Sequence, residues 1–393
     1  MRSRKILVAA LAFVAVIVLL LGIFLNSFGT FEKAEKKNPG VFVGVDIAYN
    51  DLTAAKKLVD RVASFTNLVI VGNTGITWNA TKLDEGCQYI YDKGLNFIVF
   101  THSVPDVAIM NQSQWTESAK KKWGDCFLGV YIYDETGGRQ LDRDPDMFIT
   151  QASNYSDASQ KYVGNLTLML ENSKKDLNTD GLPVFTSDYA LYWFDYLAGY
   201  NVVLAEFGSN SSRQLNVALC RGAATAQNRE WGVIVTWTYD KLPYIESGDK
   251  LYNDMMTAYT NGAKYILVFD SNQNYGGEIL GEQHFEAMQK FWNYANAHPA
   301  IVEPTNERVA YVLPQDYGYG FRSPIDRIWG LWSNDSLGLR EQIWNNTNTL
   351  LNQYTTSLDL VYLGDPGLLQ SLQYSRLVFW NGTEISIQTK NDP

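Results

Sequence analysis

Eight short, nearly continuous apolar runs punctuate this chain at residues 41–47, 68–71, 97–100, 128–133, 184–186, 202–205, 232–236 and 265–269. Runs of this length, rich in Val, Ile, Phe and Tyr, predict strands buried on both faces. The stretches between them carry apolar residues three and four apart, the spacing of amphipathic helices, at 52–65, 82–92, 158–171, 212–227, 250–260 and 283–296. Residues 113–122 and 189–197 supply two more helical segments, and Ser212 stands where an N-cap belongs. Eight strand–helix units in about 255 residues predict an α/β fold of the (β/α)8 TIM-barrel type. The rival architecture is a doubly wound open sheet, but no Gly-rich phosphate loop follows the first strand.

The two ends of the chain read differently. Residues 6–25 form an apolar run that, as a helix, would span about 30 Å, the hydrocarbon thickness of a bilayer. No A-x-A-like cleavage pattern follows it, so an uncleaved transmembrane helix is expected rather than a signal peptide. Arg2, Arg4 and Lys5 place the N-terminus inside and the body outside, an extracytoplasmic location; Lys33, Lys36 and Lys37 weaken that charge bias. Residues 1–30 therefore read as the membrane anchor, 31–40 as a linker, 41–300 as the barrel and 301–393 as a small C-terminal α/β appendage packed on it. Within the appendage, strands are expected at 308–313, 358–363 and 377–380 and a helix at 339–354. The loop at 317–321, Tyr-Gly-Tyr-Gly-Phe, reads either as a lid over the barrel mouth or as a surface turn.

Asn79, Asn111, Asn154, Asn165, Asn210, Asn334, Asn345 and Asn381 each open an N-x-S/T triplet, as in a glycoprotein exposed outside the cell. The net charge of −10 argues against a nucleic-acid partner, which calls for a basic stripe. Three cysteines, Cys87, Cys126 and Cys220, make no C-x-x-C motif, and buried free thiols are expected rather than a disulfide framework. Only His102, His284 and His298 occur, so a His/Cys metal centre is not expected. No G-x-S-x-G elbow, P-loop or dinucleotide fingerprint is present, and neither a cofactor nor a metal is anticipated.

In a barrel of this kind the residues ending the strands converge on the active site. Here acidic groups lie at six of the eight ends: Asp46, Asp134 with Glu135, Asp188, Glu206, Asp240 and Asp270. Aspartates in such places also cap helices, whereas Glu is a poorer cap, which favours Glu135 and Glu206 as chemical groups. Two carboxyl groups at one face suit glycosidic-bond hydrolysis, one as acid and one as nucleophile or base. Glu135 is the acid/base candidate, with Asp134 beside it to raise its pKa, and Glu206 is the second carboxylate. Neighbours on a regular strand face opposite ways, so only one of Asp134 and Glu135 is expected to face the lumen. Asp46, Tyr133, Asp188, Trp237, Tyr239 and Asp270 are the substrate-binding candidates. The composition is rich in aromatics, with 24 Tyr, 18 Phe and 11 Trp, and rings near the strand ends (Trp78, Tyr131, Tyr189, Trp193 and Tyr244 among them) suit either sugar stacking or plain packing.

Residues 129–135 (GVYIYDE), 204–208 (LAEFG) and 235–239 (VTWTY) make the chain resemble glycoside-hydrolase-like (β/α)8 barrel proteins, a secreted or membrane-anchored prokaryotic and specifically archaeal branch. The resemblance covers residues 41–300 and implies a polysaccharide or glycan partner. It departs from the best-known pattern in having no Glu after the seventh strand, so the familiar retaining pair is not implied. Strand four also lacks the full D-x-x-D-x-D-x-E run of chitinase-like barrels. Two functions stay open: a glycosidase acting on surface or environmental polysaccharide, and a non-catalytic carbohydrate-binding or cell-surface structural protein on an inactive barrel.

Overall fold

The computed structural model describes residues 39–101, 112–209, 211–272, 278–298, 305–364 and 374–386. The expected anchor at 6–25, most of the linker, His102 and the sequons at Asn111 and Asn210 lie outside them. Among the described residues no helix is long and apolar enough to cross a membrane.

All eight apolar runs become parallel strands: β1 (Phe42–Ile47), β2 (Leu68–Val71), β3 (Asn96–Phe100), β4 (Phe127–Tyr131), β5 (Val184–Asp188), β6 (Val202–Phe207), β7 (Glu230–Val235) and β8 (Tyr265–Asp270). They pair in sequence order and β8 closes on β1, which excludes the open-sheet rival. Helices return the chain outside: α1 (Leu52–Val62), α2 (Thr74–Thr77), α3 (Ala80–Asp92), α4 (Gln112–Trp123), α5 (Thr136–Asp142), α6 (Tyr155–Leu177), α7 (Tyr192–Ala198), α8 (Arg213–Ala226), α9 (Gly248–Thr260) and α10 (Glu282–Ala297). Asp51, Asn79, Asn154, Ser212 and Ser247 cap five of them through their side chains, a contribution of about 1 kcal/mol each.

The strand alternation explains why the runs are apolar throughout. Leu68, Ile70, Ile98, Phe185, Val202, Leu204, Ile234 and Leu267 fill the barrel interior. Val43, Val45, Val203, Val233 and Val268 belong to the layer between sheet and helices. Period-two counting then fixes which strand ends face inward. Asp46, Ser187 and Glu206 share the inward parity of Gly44, Phe185 and Leu204, whereas Asp188 and Asp270 fall on the opposite one. Cys87 and Cys220 are buried thiols outside any disulfide.

Residues 305–386 add a second sheet to the barrel. Strands β9 (Val309–Leu313), β10 (Leu358–Tyr362) and β11 (Arg376–Phe379) run parallel, β12 (Glu384–Ser386) is antiparallel to β11, and the order is β10-β9-β11-β12. Helix α11 (Arg340–Tyr354) connects β9 to β10. Strand β12 is three exposed residues with no apolar pattern, which is why the sequence does not announce it.

The sheet docks on α8. Gly222 lets the two backbones meet, since a Cβ there would lie 2.4 Å from the Leu360 carbonyl oxygen. Beside it the Asp359 carboxylate, wholly buried, accepts from Arg221 Nε at 2.7 Å, Arg308 Nη1 at 2.5 Å and the Tyr374 hydroxyl at 2.9 Å. Arg221 also donates to Asn261 Oδ1 at 2.8 Å and to the Thr356 and Leu358 carbonyls. A carboxylate between two buried guanidiniums is strongly destabilising to remove, because both cations lose their counter-charge. Asp359→Ala is therefore expected to lower stability by about 3–5 kcal/mol, read from chemical denaturation; a loss below 1 kcal/mol would show that the interface does not depend on this group.

Candidate active site

The site forms where β4 stops early. Sequence reasoning extends that strand to Tyr133, but pairing ends at Tyr131. Tyr133 and Glu135 take left-handed backbone conformations, with φ of 59° and 54°. For non-glycine residues these cost of order 1 kcal/mol or more each, and such strain persists only where the surroundings enforce it. The Glu135 N–H donates to the Ser187 carbonyl at 3.0 Å, pinning the turn to β5. Strand alternation is lost here, so both Asp134 and Glu135 reach the barrel mouth, contrary to the expectation that only one would.

Glu135 occupies the N-cap position of α5 yet its side chain makes no capping bond. Asp188 does that work from the neighbouring strand. Its buried carboxylate accepts from the Gly137 and Gly138 N–H groups as well as from Tyr189 and Ala190 N–H. Burial nevertheless pushes Asp188 up to about 7, against the lowering by those donors. Asp188 is thus held in backbone contacts rather than offered to the cavity.

Four carboxyl groups come together at the mouth. Glu135 and Glu206 lie within side-chain hydrogen-bonding reach of each other. Ser187 Oγ meets Glu206 Oε1 and, at 2.8 Å, Asp134 Oδ1. The Tyr131 hydroxyl donates to Asp134 Oδ1 and accepts from Ser187 N–H at 2.9 Å. Asp46 lies close enough to Asp134 to be raised by its charge, after burial as the larger cause. Gly72 makes room for it, since a Cβ there would fall 1.9 Å from Asp46 Oδ1.

Proton counting follows from this geometry. The Ser187 hydroxyl has one proton and faces two carboxylate oxygens, and the Glu135–Glu206 contact needs a proton of its own. The cluster cannot be fully ionised. Burial drives Glu206 well above the ordinary carboxylate range, with Glu135 and Asp134 adding repulsion. Glu135 is raised by burial and then by Asp134, while its bond to Glu206 works the other way. Asp134 is raised by burial against the lowering by Tyr131 and Ser187, and solvent reaching it from the mouth limits that effect.

Glu135 and Glu206 line a cavity of about 930 Å³. Part of its lining is Gly208, Ser209, Ser211 and Ser212 with Leu215, Asn216 and Leu219 of α8; another part is Gly320, Phe321 and Arg322 with Trp344, Thr347, Asn348 and Leu351 of α11. The loop at 317–321 is a packed wall: Tyr317, Tyr319 and Phe321 are buried, and Tyr317 stands edge-on to Tyr155 at 5.6 Å. Arg322 pairs with Asp142 and Asp326, and Tyr189 donates its hydroxyl to Asp142, tying this wall to the end of α5.

The other candidates separate clearly. Trp237 lines the cavity and stacks on Phe269 with centroids 5.7 Å apart. Tyr239 is 48% exposed and is not among the lining residues. The Tyr133 hydroxyl meets Ser173 of α6 at 3.1 Å, behind the barrel wall. Asp270 accepts from Tyr49 at 2.9 Å and from Ile279 and Leu280 N–H, a loop-holding arrangement. Trp193 packs on Tyr362 of the second sheet. Sequence reasoning passed over Ser187 in favour of Asp188, though inward parity with Phe185 marks Ser187. It also missed Trp344 and Thr347, whose place depends on how the second sheet docks. Among the described residues no group of three or more His, Cys, Asp or Glu is arranged to hold a metal ion.

The chain matches no protein-family model, and no curated protein is similar to it in sequence. Its fold is similar to solved structures. A GH5_18 protein from Streptomyces cattleya, solved in complex with GlcNAc, superposes with a TM-score of 0.56 at 12% identity, covering 87% of this chain and 99% of that one. A family 1 b-glucosidase from Thermotoga maritima superposes with a TM-score of 0.44 at 7% identity, covering 66% of this chain and 98% of that one. At such identities the first likeness is one of fold: this chain is a (β/α)8 barrel with a small additional sheet.

Proposed function

We propose that this protein hydrolyses glycosidic bonds of a polysaccharide or glycan, with Glu135 and Glu206 as the reacting pair. The observation that carries this reading is the contact between these two carboxyls at the wall of a large cavity. One proton held between two carboxyls supplies both roles the reaction needs, an acid for the leaving oxygen and a carboxylate for the other face. Asp134, Asp46 and Ser187 hold that proton in place and set its affinity. The barrel likeness to a GH5_18 protein crystallised with GlcNAc is consistent with a carbohydrate substrate.

Glu206 is fixed on β6 and bonded to Ser187, whereas Glu135 sits on the turn that follows β4. We place the barrel outside the membrane, held by the apolar run at residues 6–25; the run and the sequons support this.

Glu135→Gln and Glu206→Gln are each expected to lower reducing-sugar release by about 10²–10⁴-fold across a polysaccharide panel. Undiminished turnover in both variants sinks the pairing, and glycan binding without turnover in the native protein favours the inactive-scaffold reading.

The pH dependence is fixed by the direction of the shifts. An acid raised by burial keeps its proton above the ordinary Glu value of about 4.3, so the alkaline limb of the kcat/KM profile should lie well above that pH. A limb at or below it contradicts the assignment.

Stability gives an independent check. The folded chain holds the Glu206 proton more tightly than the unfolded chain does. The buried acid thus opposes folding progressively as pH rises from the unfolded value of about 4.3 through its elevated folded value. Glu206→Gln should raise Tm at neutral pH, by more than it does at pH 4, while abolishing turnover; a lower Tm at neutral pH assigns Glu206 a structural role.

A further inference from the structure

The C-terminal helix α11 presents four cavity-lining residues, Trp344, Thr347, Asn348 and Leu351, at the i, i+3, i+4, i+7 spacing of one helical face. Thr347 is 2% exposed, yet its Oγ has no hydrogen-bond partner. A buried hydroxyl left without a partner is costly, and such groups call for an explanation. Here Thr347 is a residue of the cavity wall, one helical turn from a half-buried indole.

Resting on the glycosidase reading, we propose that α11 forms a second saccharide subsite, in which Trp344 covers the apolar face of a sugar ring and Thr347 bonds one of its hydroxyls. Three features direct the choice. The α11 face carries no charge, which fits a neutral ring. The charged groups lie elsewhere on the cavity wall, and Arg322 is already engaged by Asp142 and Asp326. An indole beside a hydroxyl matches a ring that offers both C–H and O–H faces. Finally, a cavity of about 930 Å³ stands near the top of the range for small-molecule sites, about 300–1,000 Å³, with room for more than the ring at the carboxyl pair. The substrate is then an oligosaccharide or longer chain held by both parts of the protein, and the second sheet determines its choice.

The test uses the full chain on the Glu206→Gln background, so that bound sugar is not consumed. Affinities are measured calorimetrically for two series of one to four units, β-1,4-linked glucose and β-1,4-linked N-acetylglucosamine. Oligomers of at least one series should bind more tightly than the monosaccharide. Thr347→Val should weaken that binding by about tenfold, and Trp344→Ala should reduce it to the monosaccharide level. Without sugar, Thr347→Val should raise Tm by about 2 °C, because it removes an unpaired buried hydroxyl. Oligomers of both series binding no better than monosaccharides would overturn the subsite. So would an unchanged oligomer affinity in Thr347→Val, or a fall in its Tm, which would mean that the hydroxyl has a partner within the protein. Failure of the glycosidase reading looks different: it is continued release of reducing sugar by the Glu206→Gln protein.

Discussion

The carboxylate of Asp188 holds the site in shape. It takes the N–H groups that open α5, a service a helix ordinarily receives from its own first residue. Because the cap comes from the neighbouring strand, the residue at the N-cap position is relieved of it. Glu135 can then turn its side chain towards Glu206. The same contact anchors β5 beside the turn that ends β4, the part of the barrel where pairing is shortest. Asp188 acts on the helix start, while the Ser187 carbonyl beside it in β5 holds the Glu135 N–H, so two successive residues of one strand fix the turn and the helix that follows it.

The carboxyl cluster is an electrostatic conflict maintained by packing. Four acids at one barrel mouth repel one another, and no cation among the described residues pairs with Glu206 or Asp46. The Arg139 charge eases Asp134 and Glu135, and for Glu206 and Asp46 the conflict is met by keeping protons. Hydroxyls of Tyr131 and Ser187 are interleaved between the carboxyls, and each can give only one proton. Charge is thereby limited by a count of hydrogens, and the protonation state of each acid depends on its neighbours.

Much of the barrel was legible because its strands are buried on both faces, and a doubly buried strand leaves an unbroken apolar run. Its active end was legible only in part. Strand parity distinguishes Ser187 and Glu206 from Asp188 and Asp270, and counting back from Phe185 or Leu204 would have sorted them. Parity fails at Tyr133, Asp134 and Glu135, because two positive φ values break the alternation and nothing local requires them; the Ser187 carbonyl, 52 residues from Glu135, does. The α11 wall was illegible for another reason. Trp344 and Thr347 sit on a helix whose own sequence shows ordinary amphipathic spacing. They reach the cavity only because Gly222 and the buried Asp359 bring the second sheet against α8.

That docking divides labour between two stretches of chain. The groups able to move a proton come from β1, β4, β5 and β6, where every neighbour constrains them and substitution is punished by electrostatics as well as packing. The α11 part of the wall belongs to a helix that, among the described residues, makes no hydrogen bond or ion pair with those acids. Residues there can drift, and the shape of the accessible volume changes without disturbing proton affinities. A protein built this way can take on new ligands by altering one face of one helix while its reactive centre stays as it was.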